Sequence, residues 1–185
     1  LRAFAGECQA RMRYEMAAKV AGKNGMAILQ DMLYFTANQE KEHAIVFYNY
    51  LKDVFKDANV SMEANYPVDL DQDLGSLLEQ AARHEYDGAT SIYERFGDGA
   101  KEEGYVEIAT TFYMICEIEH YHHERFKKYH NLLTSNKLFK ESSNIKWMCL
   151  NCGHIHSGLK VPGVCPVCRH ERGYFIPVSL APYLM

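Results

Sequence analysis

The sequence predicts a mostly α protein, a four-helix bundle followed by a small β/loop metal-binding module. Three observations predict it. Four long stretches repeat apolar residues at steps of three and four, the period of a buried helical face. A long aperiodic segment containing Asn65-Tyr66-Pro67 separates the second stretch from the third. From Ile145 onward the pattern gives way to Gly, Pro and two Cys-x-x-Cys pairs.

Residues 1–22 read as the first helix, with Phe4, Glu7, Tyr14, Ala18 and Ala21 on one face. Lys23-Asn24-Gly25 reads as a turn, because Gly and Asn accept the left-handed backbone that ends a helix. Residues 26–55 read as the second helix, striped by Leu29, Leu33, Thr36, Glu40, His43, Phe47 and Tyr50. Residues 56–72 lose that period and read as a crossover. A long connection at this point sets the halves of the bundle parallel, the ferritin-like arrangement. The third helix runs from about Asp73 to Gly97, with Leu74, Leu78, Ala81, Glu85, Gly88 and Ile92 inward. After a break at Glu103-Gly104, the fourth helix covers 105–134 and carries Ile108, Phe112, Ile115, Glu119, His122, Phe126 and Tyr129. The expected units are a bundle over 1–134, a polar linker over 135–145, and a four-cysteine module over 146–185.

The 185 residues are 48% apolar, enough for a real core, and the net charge is −4. That balance lacks the basic patch a nucleic-acid partner calls for. No run of 18 apolar residues is present to span a membrane. No secretory signal is recognisable, and paired Cys-x-x-Cys units suit metal ligation in a reducing compartment. The expected location is the cytoplasm.

The four helices carry Glu7, Glu40-x-x-His43, Glu85 and Glu119-x-x-His122 inside otherwise apolar stripes. Residues three apart share a helix face, so each Glu and His of a pair project together. A buried carboxylate must be paired, metal-bound or neutralised. Two divalent metals balance four carboxylates, with both histidines neutral. The carboxylate and imidazole mixture suits iron or manganese better than zinc, and the six residues read as a two-iron site. Glu40 and Glu119, each leading a Glu-x-x-His unit, are expected to touch both metals, and Glu7 and Glu85 one each. Glu117-x-x-His120 lies in register with Thr110, Tyr113 and Glu124 and reads as surface. His122 is preferred to His123 because it falls in register with Ile115 and Phe126. Tyr14 and Tyr93 lie two turns beyond Glu7 and Glu85, within reach of ligand carboxylates.

Ala3-Phe4-Ala5-Gly6-Glu7-Cys8-Gln9-Ala10-Arg11 resembles the opening helix of the rubrerythrins, and Gln39-Glu40-Lys41-Glu42-His43-Ala44 their second helix. Lys101-Glu102-Glu103-Gly104-Tyr105 and Glu119-x-x-His122-x-x-x-Arg125-Phe126 resemble the later part of their bundle. Lys146-Trp147-x-Cys149-x-x-Cys152-Gly153 resembles the start of their rubredoxin domain. The resemblance implies a non-haem iron peroxidase that reduces hydrogen peroxide to water, with electrons passing from a rubredoxin iron to the di-iron site. It also implies a homodimer in which one subunit's rubredoxin lies near the other's di-iron site.

Two departures stand out. The family pattern has Glu-x-x-Glu on the third helix, where the second Glu exchanges with the helix-two histidine as the redox state changes. A gapless match from Tyr93 puts Gly88 at that second Glu. His43 then has no competitor and is expected to ligate in both redox states. Asp87 points about 100° away and is no substitute. Cys8 stands where Ser is usual and, like Cys116, reads as a small buried thiol.

Cys149, Cys152, Cys165 and Cys168 form two knuckles able to set four thiolates tetrahedrally around iron or zinc. The neighbouring two-iron site favours a single iron. Arg169 stands where Gly commonly follows the last cysteine, and Trp147 and Phe175 supply core aromatics. His154, His156 and His170 read as solvated. The expected partners are hydrogen peroxide and an external donor, a nicotinamide-dependent reductase or a rubredoxin. The alternatives are an oxygen-reducing or ferrous-oxidising protein, and a non-catalytic electron carrier.

Overall fold

A computed structural model describes residues 1–68 and 71–182. Residues 69–70 of the expected crossover and 183–185 of the expected C-terminal module lie outside the described residues. Helix α1 (Arg2–Lys23) and helix α2 (Ala27–Phe55) form a long hairpin. Gly25 turns the chain between them at φ +68°, a conformation glycine adopts at little cost. The crossover passes back over α1, where Gln9 Nε2 donates to Pro67 O at 2.8 Å. Helix α3 (Leu74–Asp87) starts on a side-chain cap, with Asp73 accepting from Ser76 N–H at 2.8 Å. A π turn (Gly88–Ile92) joins it to α4 (Tyr93–Glu102). Helix α5 (Val106–Thr134) follows the break at Gly104.

The π turn corrects the expected regular third helix. Tyr93 N–H donates to Gly88 O, five residues back, so one extra residue enters the turn. In a regular helix Ile92 would repeat the face of Glu85 seven residues on. With the insertion Tyr93 takes that direction and is buried, while Ile92 is exposed.

The core is layered along the bundle axis. One apolar cluster, at the α1–α2 turn, holds Ala18, Leu29, Leu33, Leu78 and Phe126. A smaller one at the opposite end holds Ala3, Phe47, Tyr93 and Ile115. Both α2 and the α3–α4 segment run from the first cluster to the second, so they are parallel, as a full-length crossover requires. Between the clusters lies a polar layer of Glu7, Glu40, His43, Glu85, Glu119 and His122, all buried. Cys8 departs from its expected burial and is exposed, because one residue beyond Glu7 turns the side chain about 100° outward.

The C-terminal module is a three-stranded antiparallel sheet of β1 (Lys140–Cys149), β2 (Ile155–Lys160) and β3 (Phe175–Pro177), with β1 central. Strand β1 begins at Lys140, inside the stretch read as linker. That stretch is exposed and polar, so it carries no burial pattern to announce a strand. Trp147 and Phe175 are fully buried beside Cys149 and Cys165. The module seats on the α1–α2 turn. Ile176 and Leu138 join the bundle's larger apolar cluster. Gly173 lies so close to the turn that an added Cβ would stand 1.7 Å from Gly25 O. Among the described residues, no helix is long and apolar enough to cross a membrane.

Candidate metal centres

The polar layer gathers donor atoms into two overlapping groups. Glu7, Glu40, His43 and Glu119 form one, and Glu40, Glu85, Glu119 and His122 the other; within each, the donor atoms lie within 4.8 Å of one another. Glu40 and Glu119 belong to both. Each Glu-x-x-His pair meets across its own turn, with His43 Nδ1 3.1 Å from Glu40 Oε2 and His122 Nδ1 2.8 Å from Glu119 Oε2. The two imidazoles stack at 5.8 Å between centroids. His123 points elsewhere, donating from Nδ1 to Ala82 O at 2.6 Å. Glu117 and His120 are exposed.

The donors require cations. Burial pushes the Glu7 carboxyl up to about 8, with the charges of Glu119 and Glu40 adding to the effect. Burial likewise holds Glu85 well above the usual carboxylate range, helped by Glu119 and Glu40. Burial alone would lower both histidines. Hydrogen bonds to Glu119, Glu40 and Glu7 overcome it for His43, which rises to about 12. Glu119 and Glu40 raise His122 to about 9. Burial would raise Glu119, but hydrogen bonds with His122, His43 and Glu85 bring it down to about 2. Without metal, then, the cluster is balanced only by protons on its own imidazoles and carboxyls. Glu40 Oε1 and Glu119 Oε1, one oxygen from each shared carboxylate, are buried with no well-formed hydrogen bond; each instead faces an imidazole, His122 Nδ1 at 2.8 Å and His43 Nδ1 at 3.1 Å. Buried carboxylate oxygens and ring nitrogens converging in this way fit two bound cations.

Positioning groups surround the cluster. Tyr14 donates to Glu85 and Tyr93 donates to Glu7, so each phenol serves a carboxylate on another helix. Burial raises both phenols well above their ordinary pKa, keeping them protonated. The sequence reading assigned no role to Gln39 and Arg125. His122 Nε2 donates to Gln39 Oε1 at 3.1 Å, and Arg125 Nη1 donates to the same oxygen at 2.8 Å and to Thr36 Oγ1 at 2.9 Å. A proton fixed on Nε2 leaves Nδ1 as the lone-pair donor facing the carboxylates. The available signal was position: Arg125 lies one turn beyond His122, and Gln39 precedes Glu40.

A cavity of about 630 Å³ reaches the cluster from one side, with Glu7, Glu85, Gly88 and Glu119 at its floor. Glu40, His43 and His122 do not line it. A Cβ added at Gly88 would make ordinary contacts with Glu119 Cγ and the Tyr93 ring, the nearest of them at 3.8 Å.

In the C-terminal module the four sulfurs lie within 4.8 Å of one another. Cys149 and Cys168 are 3.7 Å apart at Sγ, as are Cys152 and Cys165. A tetrahedron with metal–sulfur bonds of about 2.3 Å has edges of about 3.8 Å, whereas a disulfide would bring sulfurs to about 2.05 Å. The two knuckles repeat one backbone pattern. Cys149 N–H donates to His154 O and Cys165 N–H to His170 O; Gly153 N–H donates to Cys149 O and Arg169 N–H to Cys165 O. Gly153 has φ +77° and Arg169 φ +66°. The His170 backbone N–H, donating to the sulfur, draws the Cys168 thiol down to about 5, with Cys152, Asn151 and Cys165 adding smaller effects. His154, His156 and His170 are half-buried instead of solvated. His170 donates to Cys168 O at 3.1 Å and packs edge-on against Tyr174.

Carboxylates and imidazoles from every long helix of a bundle, joined to a four-thiolate module, define a two-centre iron protein. The rubrerythrin family model matches residues 1–130, and the model described as "Rubrerythrin, rubredoxin-like domain" matches 147–176. The chain belongs to the rubrerythrin family. It is similar to rubrerythrin from Clostridium perfringens, at 41% identity over 175 residues, covering 95% of this chain and 90% of that one. It is similar at 35% to rubrerythrin from Porphyromonas gingivalis, over 97% of this chain and 88% of that one. In fold it resembles nigerythrin in its mixed-valence state, with a TM-score of 0.63 and 23% identity over 95% of this chain and 82% of that one. The cofactors are a di-iron site with carboxylate and histidine ligands and a rubredoxin-like site at Cys149, Cys152, Cys165 and Cys168. Rubrerythrins are generally oxidoreductases.

Proposed function

We propose that this protein is a non-haem di-iron peroxidase that reduces hydrogen peroxide to water, with electrons relayed through the rubredoxin-type iron. The observation that carries the reading is the cavity, which reaches the carboxylate side of the cluster and leaves both imidazoles behind it. Glu7, Glu40, His43 and Glu119 would hold one iron, and Glu40, Glu85, Glu119 and His122 the other. When bound, the ferrous pair supplies the two electrons that cleavage of an O–O bond consumes.

The chain's own groups hold that site in order. Tyr93 keeps its phenolic proton on Glu7, and Tyr14 keeps its own on Glu85. Both bonds restrict the carboxylates to one orientation at the cavity floor. Gln39 and Arg125 hold His122 from behind. Gly88 offers no carboxylate to displace His43, so His43 stays a ligand in both oxidation states. Leu29, Leu33 and Phe126 on one side and Phe47 and Ile115 on the other exclude water along the bundle axis.

The relay runs between two chains. The four-cysteine module is fixed at the α1–α2 turn, and Glu7 lies about 24 Å along α1 from Lys23 at 1.5 Å per residue. That separation is too long for rapid single-step electron transfer, which favours a homodimer that brings one module to its partner's bundle. Met12, Met16, Phe35, Ile45 and Tyr48 on α1 and α2 are exposed apolar side chains that self-association would cover. A cytoplasmic nicotinamide-dependent reductase or a rubredoxin would feed the module.

Stopped-flow mixing of the reduced, iron-loaded protein with peroxide and with oxygen tests the reading. Peroxide should reoxidise it much faster. Faster reaction with oxygen would identify an oxygen-reducing or ferrous-oxidising protein, and slow reaction with both an electron carrier.

A further inference from the structure

The cavity is far larger than its expected substrate. Its volume is about 630 Å³, against the ~30 Å³ that a water molecule occupies in the liquid; hydrogen peroxide is little bigger than water. Volumes of 300–1,000 Å³ are those of sites for drug-sized organic ligands. Its walls include the apolar groups of Ala10, Pro67, Ile92 and Phe96. Arg2 and Glu63, both exposed, keep the rim in water. Two features create this space. The crossover arches over α1 and is pinned there by the Gln9–Pro67 bond. At the floor, Gly88 has no side chain of its own, and an added Cβ would make only ordinary contacts with Glu119 and the Tyr93 ring. The π turn also aims Ile92 away from the core.

We infer that the site reduces organic hydroperoxides, ROOH, with the carbon skeleton held between Ala10, Pro67, Ile92 and Phe96 and the O–O group at the floor beside Gly88. This rests on the peroxidase reading and specifies its substrate class. The O–O bond breaks, one oxygen leaves as the alcohol ROH and the other as water. Two electrons would come from the ferrous pair held by these ligands, which is oxidised in losing them, and two protons from solvent.

Cumene hydroperoxide is the probe, compared with hydrogen peroxide on the iron-loaded full chain. The wild type should reduce both. Gly88→Leu fills the floor; Gly88 has ordinary helical angles of φ −58° and ψ −51°, so the substitution introduces no backbone strain. Ile92→Trp narrows the exposed wall. Each should lower the ratio of kcat/KM for cumene hydroperoxide to that for hydrogen peroxide by about tenfold or more. A second readout needs no turnover. Equilibrium dialysis of the oxidised protein with the product alcohol, 2-phenyl-2-propanol, should detect binding to the wild type and its loss in Gly88→Leu. Reduction of hydrogen peroxide without reduction of cumene hydroperoxide or binding of the alcohol overturns the inference and leaves the peroxidase reading intact. An unchanged ratio in both variants also overturns it. Failure with both peroxides removes the two readings together.

Discussion

The Tyr14 phenol donates its hydrogen bond to Glu85, across the bundle, and not to Glu7 on its own helix. Tyr93 returns the arrangement by donating to Glu7. The two bonds cross and tie α1 to the α3–α4 segment at two levels. Each acceptor is a buried carboxylate, for which a hydrogen bond contributes about 1.5–3 kcal/mol. Tyr14→Phe and Tyr93→Phe should each lower iron affinity by about 10–100-fold in a chelator competition. Wild-type affinity in both variants would show that the phenols do not orient the site.

Glu119 belongs to both donor groups, so its loss should disturb both metals. Metal analysis of Glu119→Ala should find most of the di-iron content gone and the four-cysteine iron retained. Full di-iron occupancy would remove Glu119 from the ligand set.

Metal uptake should depend on pH. His43 is raised to about 12, His122 to about 9 and Glu7 to about 8, so in the metal-free protein all three hold protons at neutral pH. Ligands bind deprotonated, so metal must displace those protons, and apparent affinity should rise as pH increases from about 6 to 9. Calorimetric titration with ferrous or manganous ion in buffers of different ionisation enthalpy would count the protons released. An affinity flat across this range would contradict the assignment of these donors.

Gly173 is needed for space and not for its backbone angles. A methyl group there would overlap Gly25 O. Gly173→Ala should cost about 3 kcal/mol or unseat the module from the α1–α2 turn. Limited proteolysis near 135–140 would report the release. An unchanged melting temperature and digestion pattern would mean that the two surfaces yield freely.

Arg169 occupies a left-handed position that its counterpart Gly153 fills without a Cβ. Arg169→Gly should stabilise the iron-loaded module by about 1 kcal/mol, read as a higher melting temperature. A lower one would mean that the arginine side chain compensates its own backbone strain.

The four helices were legible because their buried faces recur at the helical period, and the polar layer because carboxylates interrupted those same faces. Glu40 and His43 stand in one stripe with Leu33 and Phe47, so the layers adjoining the site could be read directly. The π turn was not legible, since one inserted hydrogen-bond step leaves no mark on composition. Its effect reached Ile92, expected inward and found exposed, while Tyr93 points inward as expected. The crossed tyrosines were hidden for a different reason. A seven-residue spacing places Tyr14 on the face of Glu7, but which carboxylate the long side chain reaches depends on the neighbouring helix. The seat of the module on Gly25 is a contact between distant backbones, and neither segment carries a pattern for it.

The division of the donors between the hairpins bears on how the molecule assembles. The α1–α2 hairpin carries Glu7, Glu40 and His43, and the second half carries Glu85, Glu119 and His122. Each half thus owns three donors to one metal and lends a single carboxylate to the other. Neither half can complete a coordination sphere alone, and with the metals absent only protons held by the imidazoles and carboxyls balance the charge across the seam. The ions therefore act as rivets: the hairpins can form separately, but their docking is completed by the same event that arms the site. A chain that has lost its iron would loosen first along this seam, exposing the polar layer while the helices themselves persist.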